Sequence, residues 1–332
     1  MNKTLIALAV ASTAVAAGAN AGEVYNQDGT TLSVGGRAEA RLSIADGNAE
    51  DQSRARLNIK GTQELAEGLY GVGFYEAEYE TDDNGTGDSR DTRYVYAGIG
   101  SQAGLVTYGK NDAALGVITD FTDIMAYHGA VASAKFTSAD REDNMLTYAG
   151  SFGDVAVKAA YRFADRTTTG TGTAAEYDSL NNSGYNASVI YTVADTGVAL
   201  GAGYADQDST TSTATDGGNQ YMLTASYTLD NVYLAGLYTA KDLDHTSNDY
   251  QGYELAARYS LDQASFTTTY GYAEYDDASD ASKDALAVEA AYNFKPNFKG
   301  YISYNFNLLD ENEAGSKAAA EDDAVLGLLY SF

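Results

Sequence analysis

The sequence predicts an all-β protein, a transmembrane antiparallel barrel of about sixteen strands whose third loop folds inward. Three observations predict this fold. Long segments alternate apolar and polar residues, short and long connections take turns along the chain, and one long apolar segment interrupts the strand pattern.

The alternation is clearest near the start of the chain, where Thr31–Ile44 places an apolar or small residue at every second position. Arg54–Lys60 repeats the pattern, with Leu57 and Ile59 between charged or polar residues. A period of two over this length predicts strands rather than helices. Several runs are long enough to be tilted membrane strands of about 9–11 residues, whereas a soluble strand has about five or six.

The connections between these runs alternate in length, as in an up-and-down barrel with short periplasmic turns and long outer loops. The short turns include Ser101–Gly104, Asp195–Gly197 and Lys295–Asn297. The long polar loops include Asp82–Asp91, Asp165–Ser183 and Asp310–Ala320. Tight turns on one side and long loops on the other favour a barrel over a soluble sandwich.

The first 21 residues have the features of a signal peptide. Lys3 precedes an apolar run from Leu5 to Ala17, and Ala19-Asn20-Ala21 forms a small-x-small cleavage site. The run is too short for a transmembrane helix, which needs about 20 apolar residues. We therefore expect an exported protein whose barrel spans residues 22–332.

Composition narrows the function further. The chain has 28 Tyr, 34 Gly, no Cys and a formal net charge of −27. Tyrosine suits the boundary between lipid and water, because its ring can be buried while its hydroxyl stays wet. The acidic balance argues against nucleic acid as a partner. The lack of cysteine excludes disulfides and thiolate chemistry.

Residues 110–140, which run from Lys110 to Asp140, break the alternation. Loops of this length are usually functional or disordered, and this one is too apolar for a solvated linker because it carries Leu115, Ile118 and Phe121. We interpret it as a constriction loop folded into the barrel. The alternative is a surface loop with a short helix packed on a soluble domain.

The chain resembles the general Gram-negative outer-membrane porins, most closely their OmpU branch. The resemblance covers essentially the whole mature chain and is most specific in GLVTYGKNDAALGVITDFTDI and in the terminal Phe332. It implies a homotrimeric barrel in outer-membrane lipid and lipopolysaccharide. It also implies that the assembly machinery reads the last strand, where Tyr330 and Phe332 form the signal.

The resemblance also implies a charged constriction. Its basic-wall positions fall on Arg37, Arg56, Arg93 and Arg141, and an acidic loop position falls on Asp123. Asp112 and Asp120 are added on charge and proximity, although either could instead cap a short helix. The chain departs from the family after Asp123, where AYHGA replaces a PEFGG-type motif and Tyr127 replaces a carboxylate.

Further cations alternate with apolar residues on the strands. A cation on the lipid face at mid-depth costs about 2–4 kcal/mol, so we expect these side chains in the lumen or at a rim. They are Arg41, Arg54, Lys60, Lys158 and Arg162. Two roles remain open for them, a lumen charge that affects conduction and a wall residue paired to a carboxylate.

The leading interpretation is a passive channel for small hydrophilic solutes and ions in the outer membrane of a Gram-negative bacterium, with mild cation preference. The alternatives are an adhesin or surface receptor anchored by its barrel, and a soluble exported β-protein. Planar-bilayer conductance separates the first two, and heat-modifiable migration in detergent gels argues against the third.

No catalytic or cofactor site is predicted. No Ser–His–Asp arrangement is evident, and a solvated or structural role is favoured for His128 over catalysis or metal binding. Carboxylates at Asp276-Asp277, Asp280 and Glu321–Asp323 could hold loosely bound divalent cations that bridge to lipopolysaccharide. A solvated, repulsive loop is the favoured interpretation of these clusters.

Overall fold

The computed structural model describes residues 21–81, 89–170, 175–180, 182–210, 216–246, 248–276 and 282–332. The predicted signal peptide, apart from Ala21, lies outside the described residues. Most of the described chain is strand. No helix within these ranges is long and apolar enough to cross a membrane.

Within these described ranges, twenty strands follow one another. They are β1 Gly22–Gln27, β2 Thr30–Ala45, β3 Asn48–Asp51, β4 Arg54–Ala66, β5 Leu69–Glu80, β6 Ser89–Ser101, β7 Gly104–Asp112, β8 Arg141–Phe152, β9 Val155–Arg162, β10 Asp165–Thr169, β11 Glu176–Leu180, β12 Gly184–Val193, β13 Val198–Gln207, β14 Gly218–Leu229, β15 Val232–Leu243, β16 Tyr250–Leu261, β17 Ala264–Tyr275, β18 Lys283–Lys295, β19 Phe298–Asn307 and β20 Asp323–Ser331. Two short helices, α1 Gly116–Thr119 and α2 Lys317–Ala320, lie in the connections.

Eighteen of these strands form one antiparallel sheet, and β10 and β11 form a separate hairpin. The strands β1 and β20 pair with successive parts of the same edge of β2, and β3 and β4 share its other edge. Each of these two pairs therefore fills one position in the wall. The result is a closed barrel of sixteen positions, as the sequence predicts.

The barrel closes where the two ends of the chain meet. Strand β20 pairs with β2 from Arg37 to Ala45, and beyond it Gly36 and Phe332 exchange two backbone hydrogen bonds of 2.9 and 3.0 Å. In lipid every unpaired backbone group is costly, so only a sheet without an edge is stable there. The terminal residue thus completes the wall.

The two faces of the wall differ as the alternation predicts. On β4, Leu57 and Ile59 point outward and are about two-fifths exposed, whereas Asn58 between them is buried on the inner face. Apolar side chains that point to the outside recur on the other wall strands; they include Leu223, Leu255 and Ile302. A continuous apolar exterior of this kind suits contact with acyl chains.

The third loop is shorter than the sequence suggests, because β7 continues through Asp112. The loop therefore covers residues 113–140. It contains α1 and a 3₁₀ turn at Thr137–Ala139, and it packs against inward side chains of the wall. Arg93 lies inside β6, and Arg141 is the first residue of β8.

The assignment of side chains to the outer and inner faces of the wall can be tested at two neighbouring positions of β4. The chain has no cysteine, so Ile59→Cys and Lys60→Cys each introduce a single thiol. We expect the Ile59→Cys thiol to be protected from a charged, water-soluble thiol reagent in intact membranes, and the Lys60→Cys thiol to react. The measurement is the mass of the labelled protein. Equal labelling of both thiols would contradict the assignment of faces.

Candidate pore constriction

A ladder of charges covers the inner face of β2, β4, β5 and β6. Five arginines there share three glutamates. The arginines are Arg37, Arg41, Arg54, Arg56 and Arg93, and the glutamates are Glu39, Glu76 and Glu78. Five guanidinium groups against three carboxylates leave a formal charge of plus two on this ladder.

Each glutamate fixes more than one arginine. Glu39 lies 3.0 Å from Arg54 Nε and 3.1 Å from a terminal nitrogen of Arg41. Glu78 receives a hydrogen bond from Arg56 and lies 3.0 Å from Arg93, which also donates to Glu76 at 3.0 Å. Charge-assisted bonds of this kind hold the guanidinium planes in fixed orientations.

The pairing depends on strand register. Arg37 and Arg56 lie directly opposite each other on β2 and β4, and Arg56 in turn lies opposite Glu78 on β5. Like charges in such positions repel, so the neighbouring carboxylates offset the repulsion. The alternation of these glutamates is in phase with that of the arginines, but alternation alone assigns them no partner.

Arg141 and Asp112 lie together at the root of the loop, where they pair across β7 and β8. The Arg141 guanidinium lies 5.4 Å from the centre of the Tyr94 ring, and the Tyr94 hydroxyl donates to Asp112 at 2.9 Å. Asp112 is therefore the last residue of a strand and is held by Tyr94. The prediction that Asp112 lies in the loop is therefore wrong, because β7 ends at this residue.

Apolar contacts hold the first part of the loop against the wall. Leu115, Val117 and Ile118 pack on inward side chains of β9 and β12–β15, which include Ile190 and Met222. These wall positions are apolar although they face the inside of the barrel. Burying a leucine or isoleucine side chain contributes about 1.5–3 kcal/mol, so this contact is a strong anchor.

Glycines in the wall make room for the loop. A Cβ atom on Gly203 would lie 2.5 Å from Leu115 Cδ2, and one on Gly201 would lie 3.1 Å from Ile118 Cδ1. A Cβ atom on Gly252 of β16 would likewise lie 2.8 Å from the Ala132 carbonyl oxygen. Glycine on β13 thus leaves space for loop side chains, and the close approach of the loop backbone requires glycine on β16.

Polar side chains of the wall hold the second part of the loop. Gln220 accepts from the Phe136 N–H at 3.0 Å and donates to the Ala134 carbonyl at 2.8 Å. Asn186 donates to the Ser138 carbonyl oxygen, and Gln207 accepts from the Ser138 N–H. Because these groups supply the partners that a buried backbone needs, the loop can be irregular inside the barrel.

Glu254 on β16 joins two separate parts of the loop. Its buried carboxylate accepts hydrogen bonds from the Ala132 and Ser133 N–H groups at 2.8 and 3.0 Å and from the Thr122 hydroxyl at 2.5 Å. Tyr250 on the same strand donates to the Ala132 carbonyl at 2.6 Å. Glu254 therefore links both limbs of the loop to one point of the wall.

The tip of the loop contacts β2, β18, β19 and β20. Ala126 donates its N–H to Glu289 at 2.7 Å, and its carbonyl accepts from Arg41 at 3.4 Å. The Arg41 guanidinium also lies 5.0 Å from the centre of the Tyr127 ring, and the Tyr127 hydroxyl donates to Gln52. Tyr127, which replaces the carboxylate expected from the resemblance, thus packs against the wall.

His128 binds the wall through both ring nitrogens. Nδ1 lies 2.6 Å from Ser303 Oγ, and Nε2 lies 2.9 Å from Asp323 Oδ2. A Ser–His–Asp arrangement, which no spacing in the sequence indicates, therefore exists. Ser303 is only 1% exposed and lies under the loop, so the arrangement is an anchor rather than a site that a substrate can reach.

Three carboxylates of the loop remain exposed, Asp120, Asp123 and Asp140, and Asp140 pairs with Lys135 of the loop at 3.4 Å. The surrounding protein restricts the hydration of the Asp120 carboxylate and so raises its pKa to about 6. The negative charges of Asp112 and Asp123 raise this pKa further. The pKa of Asp123 is also raised, by the same loss of hydration and by the negative charge of Glu254. Asp120 does not cap the N-terminus of α1, because it follows the last residue of that helix and Leu115 precedes the first.

Three of the predicted secondary cations do not line open lumen, and the first of them, Arg41, is buried against the loop tip. Lys158 points inward on β9 but is only 2% exposed, and in the described part of the chain its Nζ has no hydrogen-bond partner. Arg162 is similarly buried; it lies 2.8 Å from Asp165 and 3.2 Å from Asp143. Loop and rim residues cover these last two positions, which the alternation alone could not show.

The described residues contain no group of three or more His, Cys, Asp or Glu side chains placed to hold a metal ion. Asp322 accepts hydrogen bonds from the Tyr304 hydroxyl and the Asn307 N–H, and Asp323 binds His128. Those carboxylates are therefore already occupied by protein donors. Asp280 and Asp277 of the other predicted cluster lie outside the described residues.

A closed barrel with an apolar exterior, a charged interior and a loop bound to its inner wall defines an outer-membrane channel protein. The comparisons with known proteins identify the particular family. Residues 5–312 match the family described as Gram-negative porin. The chain belongs to this family and is an outer-membrane protein.

Similar proteins cover the whole chain. Outer membrane protein U of Vibrio parahaemolyticus serotype O3:K6 is 54% identical, and Porin-like protein L of Photobacterium profundum is 43% identical; both comparisons cover 100% of each chain. Among solved structures, Salmonella typhi OmpF in complex with daunomycin has a TM-score of 0.79 at 23% identity and covers 94% of this chain and 100% of its own. In-vitro folded OmpT of Vibrio cholerae, in trimer form, has a TM-score of 0.66 at 15% identity, with 92% and 100% covered.

The anchoring role of Glu254 can be tested by Glu254→Ala. Two buried N–H groups lose their acceptor, which costs about 1–3 kcal/mol for each. We expect hydrogen exchange at the Ala132 and Ser133 amides to rise about ten-fold or more, while the wall amides keep their protection.

The matched control for this variant is Glu274→Ala, because the Glu274 carboxylate accepts hydrogen bonds from Gln251 and Tyr272 on the wall. Mass spectrometry of exchanged peptides measures both variants. Unchanged exchange across the loop in Glu254→Ala would show that this carboxylate does not hold it.

Proposed function

We propose that the protein is a general diffusion porin, through which small hydrophilic solutes and ions cross the outer membrane passively. The observation that carries this proposal is the attachment of the loop to the inner wall. Among the described contacts, the loop is bound along β12–β20 and meets the charge ladder on β2 and β4–β6 at Arg41, whereas no contact joins it to Arg37, Arg56 or Arg93. A water-filled channel between the loop and the charge ladder would be narrow and crossed by an electric field.

We assign the basic side of this constriction to the ladder, with Arg37, Arg56 and Arg93 as its water-facing cations and Arg141 at the root of the loop. The acidic side is assigned to Asp120 and Asp123. Arg41 is a wall residue that holds the loop tip. Arginine is suited to the basic side because it remains charged at any physiological pH.

The proposed ion preference is mild and favours cations. Three glutamates offset most of the ladder's positive charge, and the exposed loop carboxylates add negative charge. The acidic composition of the whole chain acts in the same direction, because fixed charges raise the local concentration of counter-ions.

We also propose that the chain forms a homotrimer, supported by the trimer form of the Vibrio cholerae OmpT structure, to which it is similar in fold. Tyr330 and Phe332 are proposed as the residues that the assembly machinery reads. Both rings are nearly half exposed on the outside of the barrel, and they stack with centres 6.2 Å apart. A second macromolecule can therefore reach them.

Channel function is tested by recording the purified protein in planar lipid bilayers. We expect discrete conductance steps and, in a salt gradient, a reversal potential of the sign produced by mild cation preference. A barrel that inserts without conducting would contradict the diffusion function and favour a surface receptor. A clearly anion-selective pore would contradict only the assignment of charge preference.

The contribution of Asp120 is tested by pH. Because its pKa is raised to about 6, Asp120 is mostly charged at pH 7.5 and mostly neutral at pH 5. The cation preference of the wild type should therefore fall between these values. In Asp120→Asn the preference should be lower at pH 7.5 and change less with pH. Reversal potentials at both pH values measure this, and an identical pH profile in the variant would exclude Asp120 from the constriction.

A further inference from the structure

The loop carries a single lysine among its carboxylates. Residues 113–140 contain Asp120, Asp123 and Asp140, and Lys135 is the only lysine or arginine among them. Three carboxylates and one ammonium group give these side chains a formal charge of minus two instead of minus three. The position of Lys135 therefore decides how its charge affects the acidic side of the constriction.

The wall fixes the backbone on both sides of Lys135. Glu254 accepts a hydrogen bond from the Ser133 N–H at 3.0 Å, and Gln220 accepts one from the Phe136 N–H at 3.0 Å. Phe136 also belongs to the apolar contact between the loop and the wall. This segment is therefore held in place by bonds that do not involve the lysine side chain, so a substitution at Lys135 leaves its main anchors intact.

The ammonium group of Lys135 lies between the two limbs of the loop. Its Nζ lies 3.4 Å from Asp140 Oδ1, at the end of the loop, and donates to the Thr119 hydroxyl on α1 at 3.4 Å. The Asp140 side chain is 55% exposed, and an ion pair with an exposed partner contributes little to stability because water screens it. The main consequence of these contacts is therefore the position of a positive charge, next to the residue that precedes Asp120.

The charge of Lys135 acts on both carboxylates that we assign to the acidic side of the constriction. Electrostatic attraction joins Lys135 to Asp120 and also to Asp123. Lys158 on β9 attracts Asp120 as well, but it is only 2% exposed. The Lys135 side chain is 16% exposed and so retains contact with water. Of these two lysines, Lys135 is therefore the one placed to act on passing ions.

We propose that Lys135 is a specificity-determining residue, a fixed counter-charge in the loop that keeps the cation preference of the pore mild. Fixed charges along a narrow pore set the local concentrations of cations and anions. An ammonium group beside Asp120 and Asp123 lowers the concentration of cations and raises that of anions, so small anionic solutes can still pass. This inference rests on the proposed function, in which these two carboxylates form one side of the constriction.

Two variants that break the same ion pair separate the charge of Lys135 from a structural role. Lys135→Gln removes the positive charge, and Asp140→Asn removes its negative partner. Loss of a structural contact would affect both variants in the same direction, whereas loss of charge affects them in opposite directions. The measurement is the permeability ratio of cation to anion, taken from reversal potentials between about 0.01 and 0.1 M salt, where screening is weak.

Relative to the wild type, we expect this permeability ratio to rise about two-fold in Lys135→Gln and to fall about two-fold in Asp140→Asn. This is the effect of one unit charge across about 8 Å of water. Lys135→Arg keeps the charge and should keep the wild-type ratio. Lys317→Gln is the matched control, because Lys317 is 63% exposed and pairs with Asp46 and Glu321 away from the loop. It should also leave the ratio unchanged.

The outcomes distinguish this inference from the function on which it rests. In a conducting barrel, a ratio that does not rise in Lys135→Gln, or that moves in the same direction in Lys135→Gln and Asp140→Asn, would overturn the role of Lys135 alone. A wild-type barrel that inserts without conducting would overturn the diffusion function and this inference with it. Because each shift is measured against the wild type, the test holds whichever ion the wild-type pore prefers.

Discussion

The need to satisfy every backbone hydrogen bond within lipid governs the rest of this structure. An open sheet would leave unpaired N–H and C=O groups in hydrocarbon, so the chain must close into a barrel. Gly36 and Phe332 make the last backbone bonds of that closure. Once the wall is closed, its outer face must be apolar, and its inner face is free to carry charges, amides and a second layer of chain.

The same requirement applies to the loop inside the barrel. An irregular segment covered by protein has no helix or sheet ladder of its own, so the wall must supply its partners. Gln220 and Glu254 do so for the backbone, and Gly203 leaves space for Leu115. The inner wall is thus divided into a sector that binds the loop and a sector that carries paired charges.

That division gives the proposed channel its chemistry. Arginines in the charged sector are oriented by glutamates on neighbouring strands, and the loop presents Asp120 and Asp123 from the opposite sector. A rigid arrangement of this kind keeps its field while solutes pass. At Tyr127, where the resemblance leads one to expect a carboxylate, the loop instead makes an aromatic contact with Arg41.

The period of two was enough to predict the barrel and the face on which Arg56 or Leu57 lies. It could not give the register between strands, and so the pairing of Arg56 with Glu78 was missed. Contacts between distant parts of the chain were also out of reach. His128 is separated from Ser303 by 175 residues and from Asp323 by 195, and no local pattern joins them. Lys158 was placed on the correct face, but its covering by other residues could not be predicted from alternation.

A disulfide between loop and wall tests the central claim, that the loop is bound to the inner face, most directly. A Cβ atom on Gly271 of β17 would lie 3.6 Å from the Cβ of Ala132, which is within the range that disulfides require. In the double variant Ala132→Cys, Gly271→Cys, mild oxidation of the folded barrel should give the cross-linked peptide by mass spectrometry. The pair Ala132→Cys, Gly73→Cys should not, since Gly73 lies on β5, outside the strands β12–β20 to which the loop is bound. Free thiols in the first pair, in a barrel that is otherwise folded, would contradict the account.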